Sequence, residues 1–319
     1  MLTKRRSMSI AIALHGGAGT ILRAEMNPEK EARYTQALQK ALHAAYHHLE
    51  HQGTALDAVE IAVTVLEDSP LFNAGRGSVF TAQGTHEMDA SIMEGQHRAA
   101  GAVSLVTGVK NPIQLARRVM EQSPHVFLAG TGAMEFARQQ GCTMADDDYF
   151  YDQFRYEQWQ AIKDTDGFQL DHSQEPKQQT PKKMGTVGAV ACDAQGNIAA
   201  ATSTGGMTNK RWGRVGDSPV IGSGTYANNA TCAVSCTGSG EYFLRGVVAY
   251  DVSCLMEYKG YSLAQACEEV VHERLLALGG DGGLVAVDAR GEMSLPFNTE
   301  GMYRAAKTPQ QELIAIYDS

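Results

Sequence analysis

No apolar stretch in the chain approaches the ~20 residues of a membrane-spanning helix, and no long run carries charge of one sign. The formal net charge of −9 is scattered, which argues against a nucleic-acid backbone or an anionic membrane as the main partner. The six cysteines, at 142, 192, 232, 236, 254 and 267, form no CxxC pair. Cys232 and Cys236 share parity on an expected strand, so they read as small buried hydrophobes facing one side rather than as disulfide partners or metal ligands. Lys4, Arg5 and Arg6 precede an apolar run, Met8 to Leu14, that is too short for an export signal. It also passes into His15-Gly16-Gly17 without a small-residue cleavage site. The expectation is a core strand after a basic overhang, with Met8 as a second candidate start and the cytoplasm as compartment. The glycine cluster from His15 to Gly19 lacks a following Gly-Lys-Ser/Thr, and no GxGxxG with a downstream acid occurs, so no nucleotide cradle is expected. Repeats are also absent.

What is present is an ordinary globular composition: 319 residues, 43% hydrophobic and 20% charged, enough for one large domain or two modest ones. Ile10 to Leu14 is a near-continuous apolar run, as for a strand buried on both faces. Asn27-Pro28 gives an N-cap with proline at the first helical position, opening a helix that stops before Gly53. Thr54 with Asp57 starts a second helix, apolar at Ala58, Ile61, Ala62 and Val65, and Asn111-Pro112 repeats the first signal for a helix through Met120. Residues 98–106 and 125–129 read as strands. Two hairpins are expected, at 193–197 and 289–291, with helical segments near 240–258 and 262–277 between them. His43, His47 and His51 share a helix face, but no acid or cysteine completes a metal set, so they read as a solvated face. Two strand layers with helices outside follow from this alternation.

Residues 164–184 are polar, carry two prolines and have no periodicity, reading as a surface tether that stops abruptly at Met184-Gly185-Thr186. A threonine hydroxyl is a poor nucleophile unless a base takes its proton. If the threonine becomes a chain N-terminus, its own α-amine, titrating at about 7.7–8.0, supplies that base. Gly185 lacks a Cβ and so lets Thr186 Oγ reach the preceding carbonyl. Alone, a Gly-Thr pair opening a strand is unremarkable.

It does not stand alone. The ordered stretches are His15-Gly-Gly-Ala-Gly19, Phe72-Asn-Ala-Gly75, Met184-Gly-Thr-Val-Gly188 and Ala201-Thr-Ser-Thr-Gly-Gly-Met-Thr-Asn-Lys210. They continue with Gly213-Arg-Val-Gly-Asp-Ser-Pro219, Tyr226-Ala-Asn-Asn229, Cys236-Thr-Gly238 and Pro296-Phe-Asn-Thr-Glu-Gly-Met-Tyr303. Across nearly its whole length the chain resembles the bacterial isoaspartyl peptidase/L-asparaginase family, the plant-type asparaginases among the N-terminal nucleophile hydrolases.

The resemblance implies an α+β fold, a four-layer αββα sandwich, as a single domain over 1–319. It implies scission between Gly185 and Thr186 into an α chain, 1–185 with a flexible tail from about 164, and a β chain, 186–319, that assemble as a dimer of such heterodimers. The implied activity is hydrolysis of β-aspartyl dipeptides and L-asparagine by Thr186, releasing L-aspartate, with small-molecule substrates and no nucleic-acid or membrane partner. Thr204 is implied to hydrogen-bond the nucleophile, and Thr237 and Asn73 to stabilise the oxyanion. Substrate contact falls to Arg214 on the α-carboxylate, Asp217 on the α-ammonium, Thr237 and Gly238. Read from the residues, Arg214 and Asp217 also suit a zwitterion or form a surface ion pair, and Thr237-Gly238 is a strand-end donor pair or a tight turn. No catalytic cofactor is implied. A structural Na⁺ would be wrapped by main-chain carbonyls of Leu66, Glu67, Ser69, Phe72, Ala74 and Arg76. Glycosylasparaginase activity and an uncleaved small-molecule binder remain the rival readings.

Overall fold

The structure, a computed structural model, describes residues 9–164 and 185–318. The basic overhang with Met8, and nearly all of the polar tether, lie outside the described residues. The larger of two sheets contains β1 (Ala11–Gly19), β2 (Met88–Glu94), β3 (Ala100–Val106), β4 (Phe127–Ala129), β5 (Val187–Cys192) and β6 (Ile198–Thr204). The smaller contains β7 (Thr225–Ala227), β8 (Cys232–Gly238), β9 (Gly282–Asp288) and β10 (Met293–Ser294). The chain then returns to the larger sheet through β11 (Gly301–Lys307) and β12 (Glu312–Ala315). The strand orders are β12-β11-β1-β5-β6-β2-β3-β4 and β10-β9-β8-β7, antiparallel except for β3 beside β4.

Period-two alternation between two covered faces explains why the central strands β1, β5 and β6 are buried on every residue. Along β1, Ile12 and Leu14 join one core while Ala11 and Ala13 join another; along β5, Ala189 and Ala191 face the first core and Val190 and Cys192 the second. The first core is completed by α1 (Pro28–Glu50), α2 (Ala55–Glu67) and α3 (Pro112–Gln122), through residues such as Leu38, Leu42, Val59, Val63 and Val119. Further on lie α4 (Gly130–Gln139), α5 (Asp147–Phe150) and α6 (Gln153–Gln160). The second core lies where the sheets stack, and it extends to α8 (Val248–Lys259) and α9 (Leu263–Glu269), which follow the short α7 (Gly240–Gly246). Each fully buried Leu, Val or Ile contributes roughly 1.5–3 kcal/mol. Cys232 and Cys236 share the second core, as their parity requires, and all six cysteines are unpaired.

Local signals set the helix starts. Asn27 and Thr54 side chains accept from Lys30 N and Asp57 N, and Ser262 makes a full capping box with Gln265. Asn111 departs from expectation: it makes no side-chain cap, and its amide donates to Asp68 Oδ1 instead. β1 also runs further than expected. It absorbs the whole His15–Gly19 cluster, with a register shift between His15 and Gly17. The 240–258 segment is two helices, separated at Val247, whose φ is +47°. His43 pairs with Glu312, and no metal-type cluster of His, Cys, Asp or Glu occurs among the described residues. No helix among the described residues is long and apolar enough to cross a membrane.

The topology positions the site. β5 and β6 form a hairpin with Val187 opposite Ser203, so the start of β5 must lie beside the end of β6. The end of β8 lies at the same edge, where Thr237 meets Ala18 of β1 and adjoins Gly185.

Candidate active site

Thr186 lies one residue before β5, buried, and its Oγ1 donates to Thr204 Oγ1 at 3.1 Å. Hairpin register alone delivers this pair. Thr204 Oγ1 also accepts from Gly206 N at 3.0 Å, which fixes the rotamer. Ser218 Oγ stands 3.4 Å from Thr186 Oγ1 on the other side. The carbonyl of Thr186 accepts from His15 Nδ1 at 3.0 Å.

Gly185 is enclosed on two sides. A Cβ there would fall 2.7 Å from Thr237 Oγ1 and 2.9 Å from Gly17 Cα. Thr237 Oγ1 accepts from Ala18 N at 3.2 Å, which leaves its own hydroxyl hydrogen for an oxygen beside Gly185. Gly238 follows where a Cβ would strike Asp281 O, so close packing of β8 on its neighbour requires glycine there. Asn73 is also buried. Its Nδ2 donates to Gly206 O at 2.7 Å and its Oδ1 accepts from Val79 N at 3.1 Å, which orients the amide and leaves one N–H uncommitted by those two bonds. Gly16 packs edge-on against the Phe72 ring, where a Cβ would come within 2.3 Å.

Arg214 and Asp217 do not form the direct surface ion pair that the sequence left open. Arg214 forks onto Glu241, Nε to Oε1 and Nη2 to Oε2, each at 2.9 Å, and Nη1 lies outside that fork. Asp217 is buried and its Oδ2 has no hydrogen-bond partner. Desolvation pushes its carboxyl up to about 7, although the nearby Arg214 pulls the other way. Both side chains border Gly240: a Cβ there would meet Asp217 Oδ1 at 2.8 Å and Arg214 Nη2 at 2.9 Å. An unpartnered buried carboxylate oxygen beside a guanidinium suits a ligand bearing both an ammonium and a carboxylate.

The structure therefore joins Thr186 to Thr204 and the preceding Gly185 to Thr237 and Gly17, with Asn73 joined through Gly205-Gly206. Asp217 is tied to this group through its neighbour Ser218. Three residues had no role assigned from the sequence. Ser218 and His15 sit inside quoted motif stretches, so their position was the available signal. Glu241 lies 27 residues from Arg214 and in no motif.

The loop after α2 carries the residues of the cation expectation. Leu66 O accepts from Ser69 N, Phe72 O from Ala74 N, and Ala74 O from Gly77 N, so the turn is tightly wound. Gly75 and Gly77 let it close, since Cβ atoms there would lie 2.5 Å from Glu67 O and 2.0 Å from Phe72 O. Main-chain carbonyls are hard oxygen donors, the chemistry that a hard cation of low charge needs, and those of Leu66, Phe72 and Ala74 also accept hydrogen bonds within the turn. Beneath them the Glu67 side chain is wholly buried, and burial raises its carboxyl to about 8.

Comparison with known proteins accords with this geometry. A family model described as asparaginase matches residues 8–315. The isoaspartyl peptidase of Salmonella typhimurium is 58% identical over 294 residues, 92% of this chain and 94% of that protein. The isoaspartyl peptidase of Escherichia coli is 55% identical over 92% and 91% of the two chains. The plant-type L-asparaginase of Pyrococcus abyssi is 42% identical over 92% and 94%. On a family match that runs from residue 8 to residue 315, the chain belongs to the asparaginase family.

Proposed function

We propose that scission of the Gly185–Thr186 bond frees the Thr186 amine, and that Thr186 then hydrolyses β-aspartyl dipeptides and L-asparagine to L-aspartate. The observation that carries this reading is the 3.1 Å bond from Thr186 Oγ1 to Thr204 Oγ1, with Thr237 Oγ1 beside Gly185. The names and high identity of the two enterobacterial relatives support the substrate class. The two stacked sheets with helices packed against both support a four-layer αββα sandwich of the N-terminal nucleophile type. In that arrangement the α chain 1–185 and β chain 186–319 form one domain and pair as a dimer of heterodimers. Six unpaired cysteines support the cytoplasm as its compartment.

In the first step Thr186 Oγ attacks the carbonyl carbon of Gly185, the C–N bond to Thr186 breaks as the nitrogen takes up the hydroxyl proton, and water then hydrolyses the resulting ester to free the Gly185 carboxylate and restore the Thr186 hydroxyl. In turnover, Thr186 Oγ attacks the substrate side-chain carbonyl while the α-amine takes the hydroxyl proton. Thr237 Oγ1 and the spare Asn73 N–H stabilise the oxyanion. A single such donor is typically worth about 10²–10³ in kcat. The leaving amine takes the proton, and water then releases aspartate from the acyl-enzyme. Arg214, held by Glu241, receives the α-carboxylate, and Asp217 the α-ammonium. The main-chain carbonyls of Leu66, Glu67, Ser69, Phe72, Ala74 and Arg76 would hold a Na⁺, whose charge would brace the turn that carries Asn73.

Intact-mass measurement of purified protein tests the reading, with two fragments divided at 185/186 expected for wild type and one chain for Thr186→Ala. A single uncleaved wild-type chain would point to the binding protein instead. A kcat/KM higher for N-acetylglucosaminyl-asparagine than for β-aspartyl-leucine would replace the peptidase by a glycosylasparaginase.

A further inference from the structure

We propose that His15 is a positioning residue that holds the Thr186 backbone, replacing the rung that the β1–β5 ladder lacks at that point, and that Ser235 sets its tautomer. The proposal rests on the reading that the Thr186 amine is the catalytic base. The ladder between β1 and β5 ends at the pair His15–Gly188, and the register of β1 shifts just beyond. Thr186 therefore lies past the last rung, at the place where chemistry needs its backbone fixed. The imidazole reaches over that gap, with Nδ1 3.0 Å from Thr186 O.

The direction of the bond is determined. A carbonyl oxygen only accepts, so Nδ1 carries the hydrogen. His15 is fully buried, and desolvation lowers its pKa to about 3, so the ring is neutral and Nε2 is an acceptor. Ser235 Oγ lies 3.0 Å from Nε2. Behind it, Thr202 Oγ1 is 2.7 Å from Ser235 Oγ, and Thr225 Oγ1 donates to Thr202 Oγ1 at 2.6 Å. These buried hydroxyls form a connected file leading to His15, in which Thr202 Oγ1 also has Gly224 O as an acceptor at 3.2 Å. Ala201 O also competes for the Ser235 hydrogen at 3.1 Å. Losing that contest would leave Nε2 without a donor in a dry interior, which disfavours it.

An independent feature points to the same bond. At Gly188 a Cβ would fall 1.9 Å from Ser235 Oγ and 2.5 Å from His15 Nε2. The glycine two residues after the nucleophile therefore makes room for the His15–Ser235 contact. Functionally, Thr204 holds Thr186 by its Oγ1 and His15 holds it by its carbonyl oxygen. Two of the groups on one Cα are pinned, so the third, the nitrogen, has little freedom of its own once released.

Asn and Leu have similar volumes, but only Asn can place an N–H where Nδ1 stands. His15→Asn is expected to keep kcat for β-aspartyl-leucine within ~3-fold of wild type. His15→Leu should lose roughly 10–100-fold in kcat, with KM nearly unchanged, as expected for loss of one buried hydrogen bond. Equal impairment of the two variants, or an unimpaired His15→Leu, overturns the proposal. The second measurement needs no variant. Nitrogen NMR of histidine-labelled wild-type protein should show His15 as the Nδ1–H tautomer, with no titration between pH 5 and 8. An Nε2–H tautomer, or a midpoint near 6.5, overturns the proposal even if the chain cleaves. Failure of wild type to cleave at 185/186 defeats the function reading, while the tautomer still decides the placement of His15.

Discussion

Gly17 and Gly185 lie back to back. A Cβ on Gly17 would come within 2.6 Å of Gly185 N, and one on Gly185 within 2.9 Å of Gly17 Cα. Gly17 also has φ +114°, where side-chain-bearing residues are strained. Nothing bulkier than hydrogen fits between β1 and the bond before the proposed nucleophile, so β1 fixes where that bond can lie.

Gly17→Ala is therefore expected to slow the appearance of the two fragments. Positive-φ strain of about 1–3 kcal/mol translates to roughly 10–100-fold if it falls on the reacting geometry. The measurement is a time course of intact mass after rapid purification. Cleavage at the wild-type rate would show that the contact with Gly185 does not constrain the bond.

Thr204→Val keeps the shape of the side chain but removes the acceptor for Thr186 Oγ1 and for Gly206 N. A fall of about 10–100-fold in kcat is expected, with KM changed far less, because the interaction orients the attacking hydroxyl and not the substrate. Steady-state kinetics on β-aspartyl-leucine decide it, and a change confined to KM would place Thr204 in substrate binding instead.

Thr204 was legible only through the motif stretch that carries the family resemblance, since a lone strand-end threonine is unremarkable. Asn27, Thr54 and Ser262 were legible from local signals, because their caps need only a neighbour three residues on. Thr202, Thr225 and Ser235 were not legible, since an isolated hydroxyl on a strand gives no sign of meeting others at a sheet–sheet interface. Arg155 is similar: it is buried and its Nε donates to Gly77 O from α6, 78 residues away, yet it stands in a polar stretch without amphipathic pattern. The same stretch hides α6. Asn111 shows the opposite failure, a local cap signal overridden by the tertiary partner Asp68.

Glu241→Gln should act through Arg214. The neutral amide weakens the two-pronged hold on the guanidinium, so Arg214 is less well aimed but freer to pair elsewhere. KM for asparagine is expected to change several-fold with cleavage at 185/186 unaffected, because neither residue touches the scissile bond. Substrate titration and intact mass on the same preparation check both halves; slowed cleavage would mean that Glu241 supports the nucleophile region and not only the arginine.

Asp217 gives the pH prediction. Burial raises its carboxyl to about 7, against roughly 3.9 in an unfolded chain. Below pH ~4 both states hold the proton and nothing is lost. Between about 4 and 7 the unfolded chain releases it while the native protein keeps it, so Asp217 costs stability progressively as pH rises. Asp217→Asn should thus match wild type in urea unfolding near pH 4 and exceed it at pH 8, by on the order of a few kcal/mol. Activity moves the other way, because the ammonium of the substrate needs the ionised carboxylate. Two groups must then lose protons in free enzyme, Asp217 near 7 and the Thr186 amine at about 7.7–8.0, so log(kcat/KM) should climb with a slope approaching two at low pH. In Asp217→Asn only the amine remains, the slope falls toward one, and kcat/KM drops by on the order of 100-fold or more. A variant that keeps both the wild-type slope and the wild-type kcat/KM would remove Asp217 from the ammonium site.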